Sequence, residues 1–103
     1  MSQVQPLPLL TNVPPLQIRA IHFLDNEGDL KDVPTKNKAF RKAITAETER
    51  RLRVEIKDIL KHHPSKKKRL NAKYRKLSPS SLQKELQSLT LPALTKLIAH
   101  LHA

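Results

Sequence analysis

KNKAFRKAITAETERRLRVEIKDILKH, Lys36 to His62, is the stretch that decides the fold, because it contains neither Gly nor Pro. Phe40, Ile44, Leu52, Ile56, Ile59 and Leu60 recur in it at helical spacing, so it reads as one long amphipathic helix. Pro34 breaks the chain before it and Thr35 offers a capping oxygen. Thr45 followed by Glu47 and Glu49 also reads as an internal cap, which would split the run into two helices bent near Thr45. Glu47 with Arg51, and Glu49 with Arg53, form i,i+4 pairs of the favourable orientation, each contributing roughly 0.2–0.5 kcal/mol.

On the C-terminal side Pro64 ends this helix, and His62 and His63 fall in its last turn. A basic run, PSKKKRLNAKYRKL, follows to Leu77. Ser78 then reads as an N-cap with Pro79 at the first helical position, and Leu82, Leu86 and Leu89 supply one apolar stripe. Thr90 and Pro92 restart the pattern, and Leu94, Leu97, Ile98 and Leu101 supply a second stripe. Two short amphipathic helices in succession predict a helical hairpin, which must pack on something to be stable.

On the N-terminal side, LQIRAIHFLDNEGDLKDV, Leu16 to Val33, has two readings. Alternation at Leu16, Ile18 and Ala20, then Ile21 and Phe23, with Gly28 in a turn, suggests two short strands. Prolines 14 and 15 at the head of a helix, with Leu16, Ala20, Phe23 and Leu24 on one face and Gly28 beyond its end, suggest a helix. Helix is preferred, since a lone hairpin is marginal in water. Residues 1–15, MSQVQPLPLLTNVPP, interleave prolines with apolar residues and read as an extended arm suited to a partner's groove.

The expected architecture is therefore mainly α: a small helical bundle of a long central helix plus a C-terminal helical hairpin, with an extended Pro-rich N-terminal arm. Residues 16–103 form a single small helical domain in this reading, with a basic connector at 61–77. The 38% apolar content is leucine-rich, and the aromatics are only Phe23, Phe40 and Tyr74, so the core is expected to be aliphatic. Without cysteine there are no disulfides, thiolate nucleophiles or sulfur-bound zinc. No run approaches the ~18–20 apolar residues that cross a bilayer, and residues 1–18 lack the Lys or Arg that opens a secretory signal. The expectation is an intracellular protein of nucleus or cytoplasm, not secreted and not membrane-bound.

Charge is the largest compositional signal. The net charge is +11, yet residues 1–35 carry −2, residues 36–77 carry +12 and residues 78–103 carry +1. All the excess lies in one central block, which points to an anionic partner, most commonly nucleic acid. Lys66, Lys67, Lys68 and Arg69 are consecutive, and Lys73, Arg75 and Lys76 follow, a collar of charge where a solvated helix face needs only a stripe. Tyr74 among them offers a ring for base stacking or for packing against Leu70 and Leu77. Arg50, Arg53, Lys57 and Lys61 form a second basic stripe on the long helix. The expected site is Lys66, Lys67, Lys68, Arg69, Lys73, Tyr74, Arg75 and Lys76, with Arg50, Arg53 and Lys57 as a second contact. RNA is favoured over DNA, because no helix-turn-helix or zinc-finger pattern offers a groove reader.

PSKKKRL resembles a monopartite nuclear localisation signal, which implies an import receptor as a partner through Lys66, Lys67, Lys68 and Arg69. LTKLI, with Leu94, Leu97 and Ile98, resembles the LxxLL type of helix that docks in a hydrophobic groove. The alternative function is accordingly a protein-interaction subunit or accessory factor, viral or part of a larger complex, that uses the Pro/Leu arm and the leucine stripes. Those stripes also allow a homo-oligomer.

Catalysis and metal binding find no pattern. DNEGDLKD, from Asp25, has glycine at the fourth position and Lys36 at the twelfth, so it is a turn and not an EF-hand loop. His62 with His63, and His100 with His102, lack the i,i+4 spacing of helical metal ligands, and His22 stands alone. One glycine is too few for a phosphate-cradling loop. No enzyme activity, cofactor or metal is expected.

Overall fold

The structure, a computed structural model, describes residues 15–103. Apart from Pro15, the expected arm lies outside the described residues. The helices are α1 (Pro15–Asp25), α2 (Lys38–His62), α3 (Ala72–Arg75), α4 (Pro79–Ser88) and α5 (Leu91–His102). Short 3₁₀ segments occupy Leu30–Asp32 and Pro64–Arg69. The architecture is mainly α, with a long central helix, a C-terminal helical pair and no strand among the described residues. The ambiguous segment 16–33 is thus helix, followed by a turn.

The run that decides the fold is one helix and not two. The Thr45 hydroxyl donates to the carbonyl oxygen of Arg41 at 2.9 Å, back along the same helix, so it caps nothing. The apolar stripe nevertheless has a gap: between Ile44 and Leu52 the only apolar side chain is Ala46. The chain divides into two compact units between Glu47 and Thr48, within that gap.

In the first unit, α1 presents Ala20, fully buried, with Leu16, Phe23 and Leu24, and the start of α2 contributes Ala43, Ile44 and Phe40. Phe23 and Phe40 meet edge to face with centroids 5.5 Å apart, an arrangement favoured by their ring quadrupoles. The α1 C-terminus is closed by a paired reverse turn: the Gly28 N–H donates to the Phe23 carbonyl oxygen at 2.8 Å, and the Glu27 N–H to that of Leu24 at 3.0 Å. Glu27, not Gly28, takes the left-handed conformation, with φ of 63°. Gly28 is needed for a different reason: a Cβ there would lie 2.6 Å from the Phe23 ring. The acidic turn is spent on capping, since the Asp29 carboxylate accepts from the Lys31 N–H and that of Asp32 from the Asp29 N–H. Arg41 donates to the carbonyl oxygens of Leu30 (3.0 Å) and Val33 (2.8 Å), tying this turn to α2.

The second unit is aliphatic. Ile56 of α2, Leu70 of the connector, Leu82 and Leu86 of α4, and Leu94, Leu97, Ile98 and Leu101 of α5 form one buried cluster. Each fully buried Leu contributes about 1.5–3 kcal/mol, and Leu94 and Leu101 are both 0% exposed. Leu94, Leu97 and Ile98, the residues that resemble a docking helix, are therefore core. α4 begins as expected, with the Ser78 hydroxyl accepting from the Ser81 N–H at 3.2 Å and Pro79 in the first turn. His102 of α5 pairs with Glu55 of α2 at 2.9 Å on the surface of this unit.

Candidate nucleic-acid interface

The basic connector belongs to the second unit and has a defined path. Pro64 opens a 3₁₀ segment that carries Lys66, Lys67, Lys68 and Arg69. Leu70 then turns inward and is buried, which pins the chain to the core. Asn71 caps the single turn α3, its side-chain oxygen accepting from the Tyr74 N–H at 3.2 Å. The amide of Leu77 closes onto the Tyr74 carbonyl oxygen at 3.2 Å, immediately before Ser78 starts α4. A run that composition alone would allow to be a solvated loop is thus held by apolar anchors at Leu70, Tyr74 and Leu77.

The predicted cations fall into two groups. One group has partners within the unit, Lys67, Lys73 and Arg53 among them. Lys67 Nζ donates to the Leu77 carbonyl oxygen at 2.6 Å and bridges the two ends of the connector. Lys73 lies 2.9 Å from the Glu85 carboxylate, and that hydrogen bond, with the charge attraction behind it, holds its ammonium above the ordinary lysine value. Arg53 donates from Nε to Leu86 (2.8 Å) and from Nη2 to Leu89 (3.1 Å) and Gln87 (3.4 Å), all carbonyl oxygens at the α4 C-terminus. The last carbonyls of a helix have few or no intrahelical donors, and that of Leu86 has only the Leu89 N–H at 3.3 Å, so Arg53 is a C-terminal clamp on α4.

The second group faces solvent. Lys68, Arg69, Arg75 and Lys76 are exposed and Lys66 is half-buried, and none of the five has a side-chain hydrogen bond or ion pair among the described residues. On α2, Arg50 and Lys57 are exposed as the helical stripe predicted, and Lys61 continues the row. Tyr74 is half-buried against the aliphatic core, with Lys73 Nζ 5.7 Å from its ring centroid. Its ring packs in the manner expected of a connector anchor.

The second unit holds fourteen Lys or Arg against four carboxylates, a net charge of +10 out of +11. With Lys67 and Lys73 engaged internally, Lys66, Lys68, Arg69, Arg75 and Lys76 remain as the connector cations without a side-chain partner among the described residues. Such an arrangement can neutralise phosphates without reading base edges. The leucine stripes of α4 and α5 are inside this unit, so they present no docking surface on it.

Sequence reasoning missed the structural employment of Arg53 and Lys67, because both acceptors are backbone carbonyls distant in sequence. It also missed that Lys61, Pro79 and Gln83 share one groove, which depends on how α4 packs. Among the described residues no group of three or more His, Asp or Glu is placed to hold a metal ion, and no helix is long and apolar enough to cross a membrane. Comparison with family models, with curated proteins and with solved structures finds no match to this chain.

Proposed function

We propose that this chain is a non-catalytic protein that binds the phosphate backbone of nucleic acid through its basic connector. The observation that carries this is the set Lys66, Lys68, Arg69, Arg75 and Lys76: five cations without internal partners on a segment anchored by Leu70 and Tyr74. An ordered scaffold reduces the entropy lost on binding, so the same charges bind better than on a free tail. Arg50 and Lys57 on α2 extend the positive surface as a second contact. RNA ranks ahead of DNA, since the five cations sit on a 3₁₀ segment and around a one-turn helix, neither of which can lie in a DNA major groove as a recognition helix does. Because phosphate contacts carry no base information, binding is tolerant of sequence. A localisation role of Lys66 to Arg69 is compatible with phosphate binding, and import of a reporter carrying only residues 64–70 tests it apart from RNA binding by the full chain.

Electrophoretic shift of a labelled RNA and of a DNA of the same sequence tests the proposal. Changing all five cations to Ala is expected to weaken RNA binding by about 10²-fold or more at ~50 mM salt. Unchanged affinity in that variant, with its helical content intact, overturns it.

A further inference from the structure

The outer side of α2 and the start of α4 enclose a groove of about 610 Å³ within the second unit. That size lies in the range of small-ligand sites, roughly 300–1,000 Å³. Its walls are apolar: Leu60 on α2, Pro64 at the head of the connector and Pro79 at the head of α4. Its rim is cationic, with the exposed amines of Lys57 and Lys61, while Asp58 supplies a hydrogen-bond acceptor and Gln83 lies at the edge. A ligand that complements this surface has flat apolar faces, polar edges and negative charge on both sides. Those are the attributes of one unpaired nucleotide in a chain.

We infer that this groove seats an unpaired nucleobase of a bound single strand, with its face against Leu60, Pro64 and Pro79 and the flanking phosphates on Lys57 and Lys61. This rests on the phosphate-binding reading of the connector, which begins at Pro64 on the edge of the same groove. The path of the strand is then continuous, from Lys61 at the groove to Lys66, Lys68 and Arg69 beyond it. In a duplex the bases are paired and stacked, so their faces cannot enter; the groove therefore makes the protein prefer single strands. Leu60, Pro64 and Pro79 take the part that aromatic platforms play in other single-strand binders, with a smaller gain per base.

The chain has no cysteine, so Gln83→Cys provides one attachment point on the groove rim. Coupling a bulky maleimide there blocks the groove without altering any charge, and coupling iodoacetamide gives a small control. The probes are a 12-nucleotide RNA carrying 2-aminopurine and the same sequence as a duplex, titrated with the full chain. The unblocked protein is expected to bind the single strand about tenfold more tightly than the duplex and to change the 2-aminopurine emission. Blocking is expected to abolish that preference and leave duplex affinity and its salt dependence unchanged. Equal affinity of the unblocked protein for both forms, or a preference that survives blocking, overturns the inference while leaving backbone binding in place. Absence of binding to either form defeats the phosphate-binding reading itself.

Discussion

The first unit, up to Glu47, carries six Lys or Arg against five carboxylates, whereas the second carries fourteen against four. In the first, charge serves the fold. Arg41 clamps the carbonyls of the turn, Arg19 lies 5.3 Å from the Phe40 centroid, and Asp29 and Asp32 cap a 3₁₀ turn. In the second, Arg53, Lys67 and Lys73 do the same kind of work, and a surplus of cations remains that the fold does not use. The difference teaches that total charge is a poor guide to function. The informative quantity is the charge left over once intramolecular partners have been assigned.

The cores differ as well, and the largest expected effect breaks the second one. Leu94→Ala, at a position with no exposure, removes a side chain from the centre of the aliphatic cluster and is expected to cost about 2–5 kcal/mol in urea unfolding. Hydrogen exchange should show the loss in residues 48–103. The corresponding test of the first unit is Gly28→Ala. Its methyl group meets a Phe23 ring already packed on Phe40, and a cost of about 1–3 kcal/mol is expected, with early exchange in 15–47.

The contrast between employed and surplus cations is sharpened by a pair of variants. Arg53→Ala strips hydrogen bonds from three carbonyls at the end of α4 and is expected to destabilise by about 1–2 kcal/mol, with RNA affinity changed less than by Lys68→Ala. Lys68→Ala should do the reverse, leaving stability within about 0.5 kcal/mol and lowering affinity. Equal effects of the two on RNA affinity would erase the distinction. The smallest effect is a gain: Glu27→Gly relieves a left-handed residue at the close of α1, and thermal unfolding should report about 0.5–1 kcal/mol of added stability.

Much of the fold is legible in the sequence, and particular residues show where legibility stops. The period of Phe40 to Leu60, the Ser78–Pro79 start and the leucine stripes of α4 and α5 are local signals that packing then obeys. Thr45 misleads because a threonine can cap a new helix or bond back to the carbonyl four residues earlier, and only the helix around it chooses. Gly28 is legible as the residue beyond the end of α1, but not its reason, which is the room it leaves for the Phe23 ring. The basic connector is legible as charge, but not which of its members are free. Lys67 and Lys68 are adjacent and chemically identical, and only the closeness of the Leu77 carbonyl separates the structural one from the available one.

Salt dependence of RNA binding tests the central claim most directly, because it counts the cations that meet phosphates. With Lys66, Lys68, Arg69, Arg75 and Lys76 each neutralising one phosphate of a single strand, those five are expected to supply about −3.5 of the slope of log affinity against log salt. Changing them to Ala should remove that share and leave the smaller slope that the α2 cations supply. A slope that is the same in both proteins would show that the surplus charge of the connector is not what the nucleic acid touches.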